Sequence, residues 1–276
     1  MGYLRKLESR MARVGSCMCL GLDPHPDQFP TGFSHDAAGL EKFGRLVLES
    51  TTPYATAVKA NLAFFEAFGS DGLRVLERLR AHMPPDLPFI ADAKRGDIGS
   101  TAQRHVVALI DSLGADAVTV SPYLGRDAVE PFLARKGIFV YVLGRTSNES
   151  ATEVQQLDVG GQPLYLRIAR LVQEWAGDSP NVGLVVGATA PGEMALARGV
   201  VPSMPFLVPG VGTQRGDLQA VMAYGPAAEP PAALLRGGAL VVNVSRAIAD
   251  AARADESDPS TILAITAAEW SAKFRC

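Results

Sequence analysis

Short apolar stretches alternate along the chain with longer segments in which apolar residues recur three and four positions apart. Stretches rich in β-branched residues are typical of buried strands, whereas the wider spacing is typical of helices with one packed face. We predict strands at 16–22, 56–60, 89–93, 117–120, 138–143, 182–187, 206–208 and 239–242. We predict helices at 39–50, 64–82, 101–113, 164–175 and 192–198, and a C-terminal helix at about 259–274.

The order of these elements favours a closed (β/α)8 barrel of the TIM type over an open doubly wound sheet, because eight predicted strands alternate along the chain with helical segments. Strand stretches such as 183–187 are apolar without alternation, as expected when both faces are covered. Since no linker divides the chain, we expect one α/β catalytic domain over residues 1–276. The connection at 225–238 is rich in Pro, Gly and Ala, which is compatible with either a mobile lid or an ordinary surface connection.

Composition narrows the possible partners. The chain has 276 residues, of which 47% are hydrophobic and 20% charged, as in ordinary globular proteins. Its net charge of −3 and lack of a basic block argue against a nucleic-acid partner. No apolar run approaches the length of a membrane span, and the first residues lack the apolar stretch of a secretory signal. We therefore expect a cytoplasmic protein without a membrane partner.

The third predicted strand ends in a cluster of charged residues, Asp92, Lys94 and Asp97. Side chains alternate between the two faces of a strand, so Asp92 and Lys94 should point into the same space. Together with Lys59 on the second strand, they predict an array of alternating charge at the mouth of the barrel. An opposite-charge contact at about 4 Å is worth up to about 4 kcal/mol at an effective dielectric of about 20. Such an array keeps both charge types ionised and suits a reaction with a developing carbanion, in which a lysine delivers the proton.

The last two predicted strands end in a different pattern. The segment 208–214, VPGVGTQ, offers exposed backbone amides between two glycines, and Arg246 begins the segment after strand eight. The loops after strands seven and eight are the usual phosphate site of (β/α)8 barrels, and a helix N-terminus favours anions. We therefore predict phosphate binding there. Further polar residues follow the strands at Asp23, Asn61, Ser121, Tyr123, Thr146, Ser147, Asn243 and Ser245.

The motifs GLDPHP, KANLAFFE, ADAKRGDIGST, VPGVGTQ and NVSRAI, spread over nearly the whole chain, resemble those of the orotidine 5'-phosphate decarboxylase family, in its longer-chain bacterial subfamily. The resemblance implies a lyase that converts orotidine 5'-phosphate to UMP and carbon dioxide, the final step of de novo pyrimidine biosynthesis. It also implies that neither a metal nor an organic cofactor is required.

The resemblance assigns catalytic roles near the centre of the chain. It implies that Lys94 protonates C6 of the pyrimidine after carbon dioxide departs, and that Asp92 faces the substrate carboxylate. Lys59 would pair with Asp92 and the ribose, while Asp23 would bind a ribose hydroxyl. The fourth member of the catalytic set would be Asp97.

The resemblance also assigns contacts to the substrate and to a second subunit. Asp97, Ile98 and Thr101 would reach the active site of the other subunit, so the working unit would be a homodimer with shared sites. The remaining substrate contacts would be Ser147 with the pyrimidine ring, Pro209 beside the base, and Gln214 and Arg246 with the phosphate.

Two other functions remain open from the sequence. One is a metal-dependent sugar-phosphate decarboxylase or aldolase on a related barrel, because such enzymes share the D-x-K-x-x-D pattern. The other is a non-catalytic barrel that binds a nucleotide and has no need for Lys94.

Overall fold

A computed structural model describes residues 2–177, 179–228, 236–254 and 258–276. Eight parallel strands close into one barrel in chain order, which confirms the predicted (β/α)8 fold. Residues 229–235, the middle of the connection for which a lid was considered, lie outside the described residues. The strands are β1 (Met18–Leu22), β2 (Ala57–Asn61), β3 (Phe89–Arg95), β4 (Ala117–Val120), β5 (Phe139–Arg145), β6 (Val182–Val186), β7 (Phe206–Val208) and β8 (Val241–Val244).

Helices surround the barrel and follow the strands. In the described part of the chain they are α1 (Tyr3–Val14), α2 (Ala37–Thr51), α3 (Ala63–Glu66), α4 (Gly69–His82), α5 (Gly99–Val106), α6 (Arg126–Leu133), α7 (Ala151–Gln155), α8 (Leu164–Ala176), α9 (Pro191–Val200), α10 (Leu218–Tyr224), α11 (Arg246–Ala249) and α12 (Pro259–Lys273). Within these residues, none of the helices has both the length and the apolar character needed to cross a membrane.

Some predicted boundaries were wrong. The predicted helix 64–82 is two helices, because Gly69 adopts a φ of 62° and turns the chain between α3 and α4. The predicted helix 101–113 begins earlier as α5 and continues as a π-helical segment, Val107–Ser112. The last strand starts at Val241 instead of residue 239, because a short 3₁₀ segment precedes it. Boundaries of this kind depend on local turns, which apolar spacing does not report.

Helix α1 was not predicted, and it lies against the amino ends of the strands. The Tyr3 hydroxyl lies 3.0 Å from that of Tyr141, and the Tyr3 backbone N–H donates to the carbonyl of Gly137. Lys6 Nζ donates to Asp116 Oδ1 at 2.7 Å. Since α1 packs at the amino ends, polar side chains at the carboxyl ends remain available for chemistry.

Arg198 connects the segments around β7. Its guanidinium is buried, lies 3.7 Å from the ring centroid of Phe206, and has a pKa that burial lowers to about 10. It therefore stays charged at neutral pH and needs acceptors. It donates at distances of 2.6 to 3.2 Å to the backbone carbonyls of Val201, Pro202, Met204, Tyr224 and Gly225.

We expect Arg198→Met to lower the free energy of unfolding by about 3 kcal/mol or more, because five backbone carbonyls, most of them in buried contacts, would lose their donor. Arg198→Lys should also be destabilised, since one ammonium cannot reproduce the planar fork of donors. Urea unfolding followed by circular dichroism measures the change, and Arg5→Met at an exposed position is the control. A loss below about 1 kcal/mol in Arg198→Met would contradict this role.

Candidate active site

A cavity of about 380 Å³ opens at the carboxyl ends of the strands, where a (β/α)8 barrel places its active site. The strand register explains why polar residues meet there. Gly21 pairs with Lys59, and Asn61 pairs with Asp92, so the ends of β1, β2 and β3 lie at one level. The predicted site residues that line the cavity are Asp23, Lys59, Asp92, Lys94, Ser147, Pro209, Gln214 and Arg246.

Four charged side chains form a continuous array in this cavity. Lys59 Nζ donates to Asp92 Oδ2 at 2.7 Å, and Lys94 Nζ donates to Asp92 Oδ1 at 2.7 Å. Lys59 Nζ also lies 3.9 Å from Asp23 Oδ1. The order of alternating charge is therefore Asp23, Lys59, Asp92, Lys94, so Asp23 extends the array beyond Lys59, whereas the predicted member Asp97 would have followed Lys94 at the other end.

Burial and opposite charges act against each other in this array. Burial raises the pKa of the Asp92 carboxyl, but the ammonium groups of Lys59 and Lys94 lower it by more, so the net shift is well below the usual range. Burial lowers the pKa of Lys59, while the carboxylates of Asp23 and Asp92 raise it by more. Both groups are therefore ionised at neutral pH.

Thr119 on β4 contacts the array but was not among the predicted site residues. Its hydroxyl donates to Asp92 Oδ1 at 2.8 Å and accepts the backbone N–H of Lys94 at 2.9 Å. A threonine is an ordinary residue for a buried strand, so the AVTV segment carries no signal that distinguishes this hydroxyl from a packing residue. Only the position of β4 beside β3 reveals the contact.

Asp23 is oriented by groups from β2 and from the end of β8. The backbone N–H of Asn61 donates to Asp23 Oδ1 at 3.1 Å, and the Ser245 hydroxyl donates to Asp23 Oδ2 at 2.6 Å. Asn243 Nδ2 in turn donates to Ser245 Oγ at 3.1 Å. A Cβ on Gly21 would lie 1.7 Å from Ser245 Oγ, so only glycine permits this approach.

The opposite side of the cavity carries the residues predicted for the pyrimidine and the phosphate. Ser147 Oγ donates to Gln214 Oε1 at 3.2 Å, which brings the ends of β5 and β7 together. Arg246 is exposed at the cavity wall. Arg246 is also the first residue of α11, which spans a single helical turn, Arg246–Ala249.

Three predicted residues lie elsewhere. Of the described residues, those that line the cavity do not include Asp97, Ile98 or Thr101. Asp97 Oδ1 accepts the backbone N–H of Ile98 at 2.8 Å, and the Ile98 side chain is 54% exposed. Ser121 and Tyr123 are also outside the cavity lining. Within the described ranges, no group of three or more His, Cys, Asp or Glu side chains is arranged to bind a metal.

Comparison with known proteins identifies the family. A model of the "Orotidine 5'-phosphate decarboxylase / HUMPS family" matches residues 16–257. The chain belongs to this family. A family relative from Thermomicrobium roseum, named orotidine 5'-phosphate decarboxylase, is 43% identical over 258 residues, which cover 92% of each chain. A relative of the same name from Halorubrum lacusprofundi is 44% identical over 250 residues, or 90% of this chain and 87% of that protein.

Solved structures agree with this family assignment. The structure of Leishmania donovani OMP decarboxylase matches with a TM-score of 0.84 and 35% sequence identity, covering 99% of this chain and 97% of that chain. The resemblance to the orotidine 5'-phosphate decarboxylase family and the (β/α)8 fold that it implied are therefore confirmed.

The lowered pKa of Asp92 gives a testable dependence of stability on pH. Its ionised carboxyl stabilises the fold above its unfolded-state pKa of about 3.9, and this contribution is lost as the pH falls through the lower folded-state pKa. We expect the free energy of unfolding of Asp92→Asn to fall less steeply below about pH 4 than that of the wild type, by up to about 1.4 kcal/mol per pH unit. Urea unfolding at several pH values measures both slopes.

The exposed Asp127→Asn substitution controls for the loss of one negative charge. If the free energy of unfolding falls equally steeply with decreasing pH in the wild type and in Asp92→Asn, the array does not lower the pKa of Asp92.

Proposed function

We propose that this protein is a carboxy-lyase that converts orotidine 5'-phosphate to UMP and carbon dioxide. The observation that carries the proposal is the buried Asp92 carboxylate with a lysine ammonium 2.7 Å from each oxygen, inside a cavity of a chain that belongs to this family. A cytoplasmic location, which the sequence predicts, is compatible with a step of nucleotide biosynthesis.

The chemistry requires a proton donor beside C6 of the pyrimidine. Loss of carbon dioxide leaves an electron pair in the plane of the ring, where the π system cannot delocalise it. A fixed positive charge must stabilise that pair, and a proton must then be delivered. Lys94 supplies both, because it lines the cavity and 45% of its side-chain surface is accessible to solvent.

Asp92 and Lys59 set the field in which the substrate carboxylate reacts. We assign Asp92 to face that carboxylate and Lys59 to neutralise the buried aspartate. Binding of the remote phosphate can offset the repulsion between the two carboxylates, so that this repulsion is relieved when carbon dioxide leaves. Lys59 lies between Asp23 and Asp92, which supports its role in linking ribose binding to the reacting centre.

The remaining substrate contacts are assigned to the two sides of the cavity. We assign Asp23 to a ribose hydroxyl, Ser147 to the pyrimidine ring and Pro209 to its face. Gln214 and Arg246 are assigned to the phosphate. The hydrogen bond between Ser147 and Gln214 supports this arrangement, since it joins the base side and the phosphate side.

We also propose a homodimer with shared active sites. In this assembly Asp97, Ile98 and Thr101 of each subunit reach the other subunit's cavity, and Asp97 completes the catalytic set. The proposal is supported by their position outside this chain's own cavity lining and by exposed apolar side chains in the loop after β4, the strand that pairs with β3, where Tyr123 is 84% and Leu124 50% exposed.

One assay separates the proposed activity from the two alternatives. Purified protein with a strong chelator should lower the absorbance of orotidine 5'-phosphate as UMP forms. Turnover of a sugar phosphate that requires an added divalent metal, with none of orotidine 5'-phosphate, would favour the sugar-phosphate alternative. Binding of UMP without any turnover of orotidine 5'-phosphate would favour a non-catalytic barrel.

We expect Lys94→Ala to reduce kcat by about 10³-fold or more, because both the proton donor and the nearest stabilising charge are removed. Circular dichroism should show that the variant is folded. Lys136→Ala, at an exposed position before β5, is the matched control and should retain wild-type activity. Near-normal turnover by Lys94→Ala would exclude this lysine as the proton donor.

Mixing Lys94→Ala subunits with Asp97→Ala subunits should restore part of the activity. In a hybrid dimer, one of the two sites combines an intact Lys94 with an intact Asp97, so random exchange should recover about one quarter of the wild-type sites. Activity is measured before and after subunit exchange, which native mass spectrometry can follow. If hybrids form and activity stays at the level of the separate variants, the sites are not shared.

A further inference from the structure

We propose that Thr119 is a positioning residue for the decarboxylation, acting through one hydroxyl on both Lys94 and Asp92. The inference rests on the function proposed above, because it concerns how the proton donor is placed. Thr119 lies on β4 and is 1% exposed, so water has little access to its hydroxyl.

The pairing of β3 with β4 is interrupted at the catalytic segment. Ala91 pairs with Val118, but the next paired residues are Arg95 and Val120. Three residues of β3, positions 92–94, therefore lie opposite the single residue Thr119. Such a bulge leaves backbone groups without their regular strand partners and changes the direction of side chains.

Lys94 has an unusual backbone conformation within this bulge. Its φ is 46°, in the left-handed region that residues with a Cβ rarely adopt. In that conformation its N–H donates to Thr119 Oγ1 at 2.9 Å, so a side chain replaces the missing ladder partner. The conformation also returns the Lys94 side chain toward Asp92, two residues earlier, where its Nζ donates at 2.7 Å.

The same hydroxyl determines the orientation of Asp92. A hydroxyl has one hydrogen to donate, and Thr119 donates it to Asp92 Oδ1 at 2.8 Å while it accepts from Lys94. Asp92 Oδ1 thus accepts from both Thr119 and Lys94 Nζ, and Oδ2 accepts from Lys59. The backbone of the proton donor and its carboxylate partner are connected through one buried atom.

Removal of this hydroxyl should affect the chemical step more than substrate binding. Valine has nearly the shape of threonine, so Thr119→Val removes both hydrogen bonds with little change in packing. The Lys94 backbone is then free to return toward an extended conformation, which moves Nζ away from the reacting carbon. Residues assigned to the phosphate do not contact Thr119 in any described hydrogen bond.

The test compares Thr119→Val with Thr119→Ser. We expect Val to lower kcat by about 10²-fold while KM changes only a few-fold, because a displacement near 1 Å can cost that much in rate. Serine retains the hydroxyl and should recover most of the activity. Thr51→Val is the matched control, because Thr51 is a buried threonine whose hydroxyl donates within α2, and it should keep wild-type kcat.

A second measurement does not depend on turnover. Amide hydrogen exchange of Lys94, followed by nuclear magnetic resonance, should be faster in Thr119→Val than in the wild type and in Thr119→Ser. If the valine variant does not fold, Thr119→Cys replaces it, because a thiol is a weak donor and acceptor. We expect Thr119→Cys to show the same loss of kcat and the same faster exchange of the Lys94 amide.

The outcomes distinguish this inference from the proposed function. Wild-type kcat in Thr119→Val, failure of Thr119→Ser to recover activity, or unchanged Lys94 exchange would overturn the role of Thr119. An inactive wild-type protein would instead overturn the decarboxylase function, and the exchange measurement would still test the contact between Thr119 and Lys94.

Discussion

The site depends on compensating the charge of one buried carboxylate. Asp92 has a side-chain exposure of 9%, and an isolated carboxylate at such a position would be strongly disfavoured. The ammonium groups of Lys59 and Lys94, one on each carboxylate oxygen, keep Asp92 ionised. The carboxylate in turn restricts the positions of both ammonium groups. A buried negative charge and the ammonium group of Lys94 therefore lie side by side in the cavity.

The barrel supports this arrangement through its strand register. Parallel pairing brings the ends of β1, β2 and β3 to one level, so Asp23 extends the array beyond Lys59. Where regular pairing fails, between β3 and β4, the bulge brings Lys94 back to Asp92. The charged end of the cavity is thus built from a few neighbouring strands, while the opposite end comes from the loops after β5, β7 and β8.

The sequence predicted an array of alternating charge, but it did not predict that Asp23 would be one of its members. Strand alternation predicted that Asp92 and Lys94 share one space, and they do, although Lys94 arrives there through a left-handed residue in a bulge. Asp97 lies outside the cavity lining, and Asp23 occupies the end of the array. The role of Asp97 in a neighbouring subunit remains a prediction, because it concerns a contact between two chains.

The sequence by itself determined the eight-stranded barrel, because apolar periodicity is a local property of the chain. It also determined the family and most of the cavity residues, through polar strand ends and through short motifs that resemble those of the family. The tertiary structure alone decided that Thr119 contacts Asp92, that Ser245 orients Asp23, and that Gly21 must lack a side chain. These contacts join residues far apart in sequence, and their residue types are common in strands and loops. They become visible only when strand pairing brings the atoms within hydrogen-bond distance.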